Sequence, residues 1–287
     1  METNQNLIVR QPEQLQETLY DPAKAERITA TLCELLHPAY ILLFGKMAGK
    51  TPHSDTLAYD ILVITERTPT YDWYDAKRYL KMKIPSVGHG APYMNIYVHS
   101  RHDVEANWVP FFFLARREGV VLYSSRRRKF TRPRDRFDFG RAADNADCYA
   151  RTFMPSADRL IGCAERCLDN GYLRESAFAT AQATIYYYRT LFYVYHGFEA
   201  ETCDVRILHH RMRTLSGELP LLFESDEYRH PKTLRRLHDF AAKAQYDPEF
   251  RVAPDELSDH IDRVKQLGKV ASGLCRKRIG LFDTLAE

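Results

Sequence analysis

The chain has 287 residues, of which 45% are hydrophobic and 28% charged, with a formal net charge of +3. That balance is ordinary for a folded soluble protein, and so small a charge excludes an argument for nucleic-acid binding over the whole surface. The polar N-terminus METNQNLIVRQPEQLQETL lacks the apolar segment of a secretory signal. Every apolar run is far shorter than the ~20 residues of a membrane helix. The expectation is a cytoplasmic protein of about two domains, without membrane contact.

In chain order, Asp21-Pro22 has the chemistry of a helix start, a capping carboxylate followed by a proline suited to the first turn. Ala25, Ile28, Leu32 and Leu35 then recur at helical spacing, and Pro38 ends the pattern. AYILLF (39–44), bounded by Gly45, reads as a buried strand, and YDILVIT (59–65) as a second. A helix is expected over 71–82. YMNIYVH (93–99) alternates, with Met94, Ile96 and Val98 on one face and Tyr93, Asn95, Tyr97 and His99 on the other. A helix over 107–117, broken or started by Pro110, precedes a last short strand, GVVLY (119–123). These elements predict a small mixed sheet carrying helices.

Residues 126–136 hold seven basic side chains: Arg126, Arg127, Arg128, Lys129, Arg132, Arg134 and Arg136. They suit either a solvated connector paired with acidic neighbours or a contact with phosphates. From about Asp144 the pattern is helical throughout. Leu160, Ile161, Ala164, Cys167 and Leu168 form one stripe. Phe178, Ala181, Ile185, Tyr188, Phe192 and Tyr195 form a longer one, ended by Gly197. Shorter helices over 205–215 and 234–244 follow, and Pro254-Asp255-Glu256 opens a last long helix with Leu257, Ile261, Val264 and Leu267 inward. Five helices without strands predict a bundle. Tyr186, Tyr187, Tyr188, Phe192, Tyr193 and Tyr195 make the second helix apolar all round, which predicts burial on both sides; docking on the first domain and a homodimer are expected. Cys33, Cys148, Cys163, Cys167, Cys203 and Cys275 form no CxxC pair and are expected to be reduced, small buried hydrophobes.

The segment LLFGKMAGKTPHSDTLAYDILVIT (42–65) carries the clearest motif. Its strand, Gly45, polar loop and second strand bearing Asp60 resemble the minimal nucleotidyltransferases related to kanamycin nucleotidyltransferase and the polymerase-beta-type superfamily. WVPFFFLARREGVVLY (108–123) resembles the aromatic helix and strand that follow in fused members of that family. The family pattern is Gly-Ser, then Asp-x-Asp on the next strand and a third acidic residue on a later one. Carboxylates two apart on one strand face aim at the same two Mg²⁺ ions, which bridge the phosphate and the attacking and leaving oxygens. Here the Ser position is Lys46, the first Asp position is Ala58, and the third acidic position falls on Asn95. The resemblance therefore implies a degenerate centre with Asp60 as its one catalytic and metal carboxylate, Asp55 being a further loop candidate. Gly45, Lys46 and Lys50 are candidate nucleotide- and phosphate-binding residues. Mg²⁺ and a nucleotide are the cofactors that the resemblance implies.

The second half resembles HEPN domains, helical bundles often fused to such nucleotidyltransferases. The resemblance lies in ATAQATIYYYRTLFYVYHGFEAETCDV (179–205), with Gln182 in a recurrent Gln-Ala pair, and in YDPEFRVAPDELSDHIDRVKQL (246–267). Many HEPN proteins are ribonucleases using an Arg and a His separated by four to six residues. Arg189 and His196, six residues apart in between, would share a helix face, the His as base on a 2′-hydroxyl and the Arg on the phosphorane. Arg206 with His209 and His210 is a weaker alternative. The expected fold is thus α+β, a small mixed-sheet nucleotidyltransferase-like domain over 1–125, a basic linker over 126–140, and an all-α up-and-down HEPN-like bundle over 141–287. The expected function is binding of nucleotide or RNA, or a regulatory partnership, by a catalytically impaired fusion. An active Mg²⁺-dependent nucleotidyltransferase with unusual ligands and a HEPN ribonuclease are the alternatives.

Overall fold

The computed structural model describes residues 19–84, 93–106, 109–125, 130–133, 136–223 and 232–287. Contacts divide the chain into two compact units, Met1–Phe137 and Asp138–Glu287.

In the first unit, α1 (Pro22–Leu36) is capped by Asp21, whose carboxylate accepts from the Ala23 and Lys24 amides. Its buried stripe ends on Leu36 rather than on the expected Leu35. β1 (Tyr40–Phe44), β2 (Ala58–Thr65), β3 (Tyr93–Ser100) and β4 (Val120–Ser124) form a mixed sheet in the order β3-β2-β1-β4, with only the β2–β3 pair parallel. α2 (Trp73–Lys83) supplies the connection between those parallel strands, as parallel pairing requires. Asp72 and Asp75 form a capping box at its start.

The period-two alternation sorts the side chains. Ile41, Leu43, Tyr59, Ile61, Val63, Met94 and Ile96 join Ile28 and Leu32 of α1 and Ala76 and Leu80 of α2 in one core, with Val98 packed against it. The expected alternation of β3 is therefore realised. The opposite face carries Leu42, Phe44, Asp60, Leu62, Asn95 and Tyr97, and it is covered too. α4 (Pro110–Glu118) buries Phe111, Phe112 and Phe113, and Phe111 packs its ring 4.7 Å from Tyr97 and 5.4 Å from Phe44. A short helix not expected from sequence, α3 (Arg101–Ala106), follows β3 directly. Of the basic stretch, Arg126, Arg127, Arg128, Lys129 and Arg134 lie outside the described residues. Arg132 donates to the carbonyls of Arg117 and Gly119, placing a cation on the negative end of α4. Its partners are backbone carbonyls, not the acidic side chains expected of a connector.

The second unit is helical from Asp138, which caps α5 (Phe139–Asp169) through the Arg141 amide. α5 runs through Pro155 without ending. α6 (Leu173–His196), α7 (Val205–Met212), α8 (Glu218–Leu221), α9 (Lys232–Lys243) and α10 (Pro254–Ala286) complete it. α5, α6 and α10 pack mutually, and α6 also contacts α7 and α9. α6 is accordingly buried on most sides, including Tyr187, Tyr188, Leu191, Phe192, Val194 and Tyr195. At one crossing, a Cβ on Gly268 of α10 would lie 2.7 Å from the Tyr187 ring and hydroxyl. Tyr187 is fixed there by donating to Asp158 at 2.6 Å. The cysteine expectation is corrected: Cys148, Cys163 and Cys203 are exposed and Cys33 and Cys167 half-buried, leaving only Cys275 buried. Helical period alone does not fix how wide the packed stripe is, and α5 buries small alanines between these thiols.

Candidate functional site

The Gly45–Asp60–Asn95 cluster is assembled by strand register. Asp60 faces Phe44 across the antiparallel pair and Asn95 across the parallel pair, so the three side chains share one sheet face. Asn95 Nδ2 donates to Asp60 Oδ1 at 2.7 Å. Among the described residues Asp60 Oδ2 has no hydrogen-bond partner, and Asp60 is fully buried. Gly45 lies against it: its φ is +72°, and a Cβ there would sit 2.9 Å from Oδ2. Glycine is needed at this position twice over, for the backbone angle and for the approach of the carboxylate. The space that the sequence assigned to a phosphate on Gly45 is thus taken, on its Cβ side, by the chain's own Asp60.

Sequence reading missed the residue that helps to close this face. His53 is 4% exposed. Its Nε2 lies 3.2 Å from the Tyr97 hydroxyl, and its ring packs 5.4 Å from Phe111 and 5.5 Å from Phe44. Ser54 beside it is also buried. A polar loop between two strands gives no periodic signal of such an inward turn. Burial pushes the Asp60 carboxyl up to about 7, against the Asn95 hydrogen bond, which pulls it down.

The other candidates disperse. Ala58, two residues before Asp60, is fully buried and carries no ligand atom on its side chain. Lys46 Nζ donates to the Asp55 carbonyl at 3.0 Å, so its charge closes the loop. Lys50 and Asp55 are exposed. Thr51, beyond Lys50, is tied through its amide to Glu118 at 3.0 Å. Among the described residues no group of three His, Cys, Asp or Glu could hold a metal ion. A Mg²⁺ ion needs several oxygen ligands and keeps waters in an octahedral shell. A single sealed carboxylate, with one oxygen already held by an amide, does not fit that ion.

In the second unit, Arg189 and His196 lie on one helix but in different surroundings. Arg189 is held by Glu199 at 2.8 Å. His196 is fully buried; its ring stacks on Phe192 with centroids 4.1 Å apart, and its Nδ1 lies 2.8 Å from the Phe192 carbonyl. His209 is a core residue as well, with Nδ1 2.7 Å from the hydroxyl of the fully buried Tyr188. Arg206 makes a two-point contact with Asp204 at 3.0 and 2.6 Å. Asp204 also caps α7 through the Arg206 amide and pairs with His238 at 3.4 Å. Partial burial raises its pKa, but the Arg206 side chain and amide hold it below the ordinary carboxylate value.

Residues 150–274 match the HEPN domain. The match runs from within α5 into α10, so Arg189, His196, Arg206, His209 and His210 all lie in the HEPN domain. It does not extend into the sheet unit. No curated protein matches the chain. No described helix is long and apolar enough to cross a membrane.

Proposed function

We propose that the protein binds a nucleotide or RNA without transferring nucleotides, through a nucleotidyltransferase-like sheet unit whose metal centre is lost, joined to a HEPN domain. The burial of Asp60 carries this reading. Two-metal transfer requires carboxylates that reach two ions bridging a phosphate, whereas this carboxylate is fully buried, with one oxygen on the Asn95 amide and the other against Gly45. The neighbouring ligand positions hold Ala58 and Asn95, one inert and one neutral. Two closely spaced divalent ions on one carboxylate would repel each other without compensation. Asp60 instead acts as an internal polar post of the strand pair. The Arg189–His196 pair supports a ribonuclease poorly, because a general base must reach the 2′-hydroxyl and His196 has no exposed surface.

Calorimetry with ATP and a short single-stranded RNA, with Mg²⁺ and with a chelator, tests the proposal. Binding of at least one that is indifferent to the chelator is expected, with no labelled AMP passing to any acceptor. Transfer that requires Mg²⁺ and disappears in Asp60→Asn would sink the reading. RNA cleavage abolished by both Arg189→Ala and His196→Ala would assign the HEPN domain a nuclease role instead.

A further inference from the structure

The sheet face that carries Asp60 near one end has a cavity at its other end. Tyr40 and Ile64 pair across β1 and β2 at the far end from Phe44 and Asp60. With Arg101, Val104 and Glu105 of α3, Arg116 of α4, and Phe130 and Thr131, they line a cavity of about 240 Å³. The Tyr40 and Phe130 rings meet edge to face with centroids 5.2 Å apart, so one wall is aromatic. Two arginines, Arg101 and Arg116, belong to the same lining. Arg101 is already engaged, donating to Glu105 at 2.7 Å and lying 3.9 Å from Glu66. Arg116 is not: among the described residues this half-buried guanidinium makes no hydrogen bond or ion pair. Burial lowers its pKa, Glu105 counteracts this, and Arg101 lowers it further.

A half-buried cation without a hydrogen-bonded partner carries a desolvation cost that Glu105 offsets only in part, and an anion seated in the cavity would relieve the rest. Guanidinium presents a planar fork suited to phosphate, and aromatic walls suit a planar base. The volume lies just below the ~300 Å³ at which pockets for drug-sized ligands begin, too small to enclose a dinucleotide or an RNA strand. We propose that this cavity binds a nucleoside monophosphate, its phosphate on Arg116 beside Arg101 and its base against Tyr40 and Phe130. This site rests on the reading of the protein as a nucleotide binder and places that binding away from Asp60.

Titration calorimetry of the full chain with AMP, GMP, CMP and UMP, with adenosine, and with inorganic phosphate tests it. At least one monophosphate is expected to bind roughly tenfold tighter than phosphate or nucleoside alone. Arg116→Gln should weaken it roughly tenfold or more, the loss of a charge-assisted contact, and Phe130→Ala should weaken it severalfold. Four results would overturn the site: no binding of any monophosphate, phosphate binding as tightly as the nucleotides, affinity unchanged in Arg116→Gln, or affinity unchanged in Phe130→Ala. Nucleotide binding that survives Arg116→Gln removes only the site and leaves the broader reading standing. Mg²⁺-dependent transfer lost in Asp60→Asn removes that reading while leaving Arg116-dependent binding intact.

Discussion

Asp60→Asn replaces a buried ionisable group by a neutral one of nearly the same shape, and the structure sets the size of the effect. The carboxyl rises from its ordinary 3.8 to about 7 because it is fully buried. Holding it ionised in that environment therefore costs roughly 4 kcal/mol at pH 8. Because the folded-state pKa is the higher one, the folded protein binds the proton more tightly than the unfolded chain. Its contribution is fully present below about pH 4, falls as pH rises between about 4 and 7, and levels off above that. The stability of Asp60→Asn minus that of the unmodified protein should climb across this window and then stay flat. The climb should approach roughly 1.4 kcal/mol per pH unit at its steepest. Urea unfolding followed by tryptophan fluorescence reads the right unit, since the two tryptophans are Trp73 and Trp108 and both precede the division at Phe137. A reductant is needed for the exposed cysteines. A difference curve flat from pH 4.5 to 7.5 would refute the sealed-acid account and return Asp60 to the status of a solvated ligand.

Three further substitutions test the packing around these sites. Gly45→Ala meets both the +72° φ and the 2.9 Å approach to Asp60 Oδ2; it should cost about 1–3 kcal/mol in the same fluorescence assay, part of it restored when Asp60→Ala is added. Gly268→Ala would gain about 1 kcal/mol from helix propensity, yet its Cβ strikes Tyr187; net destabilisation of the helical unit by roughly 1–2 kcal/mol is expected by circular dichroism, and a stabilised protein would show that Tyr187 yields freely. Asp204→Ala removes the α7 cap and the contacts to Arg206 and His238, costing about 1–2 kcal/mol at pH 7; this loss should shrink in acid, because the depressed folded-state pKa makes the carboxylate's contribution vanish as pH falls through it.

The sequence by itself determined most of the elements, though not α3 or α8. Alternation at 93–99 gave β3 its two faces, Asp21-Pro22 placed the start of α1, and the three-and-four spacing from Phe178 to Tyr195 marked the buried α6. These signals are local: strand and helix periods write themselves into neighbouring residues. Resemblance to a family placed Asp60 and Asn95 in one site, and register does bring them into a 2.7 Å hydrogen bond. Tertiary structure alone decided what that site became. His53 turns inward from a loop without periodicity, and Phe111 closes the same face from a helix half a hundred positions away. Together with the approach of Gly45 they leave Asp60 buried, which a carboxylate's sequence context cannot reveal because desolvation is a sum over groups distant in the chain. The cysteines show the same limit on a helix, where the period fixes spacing but not the width of the packed face. The cavity beside Arg116 shows it at the opposite end of the sheet: Tyr40, Ile64, Arg101, Arg116 and Phe130 share no motif, and only the fold makes them neighbours.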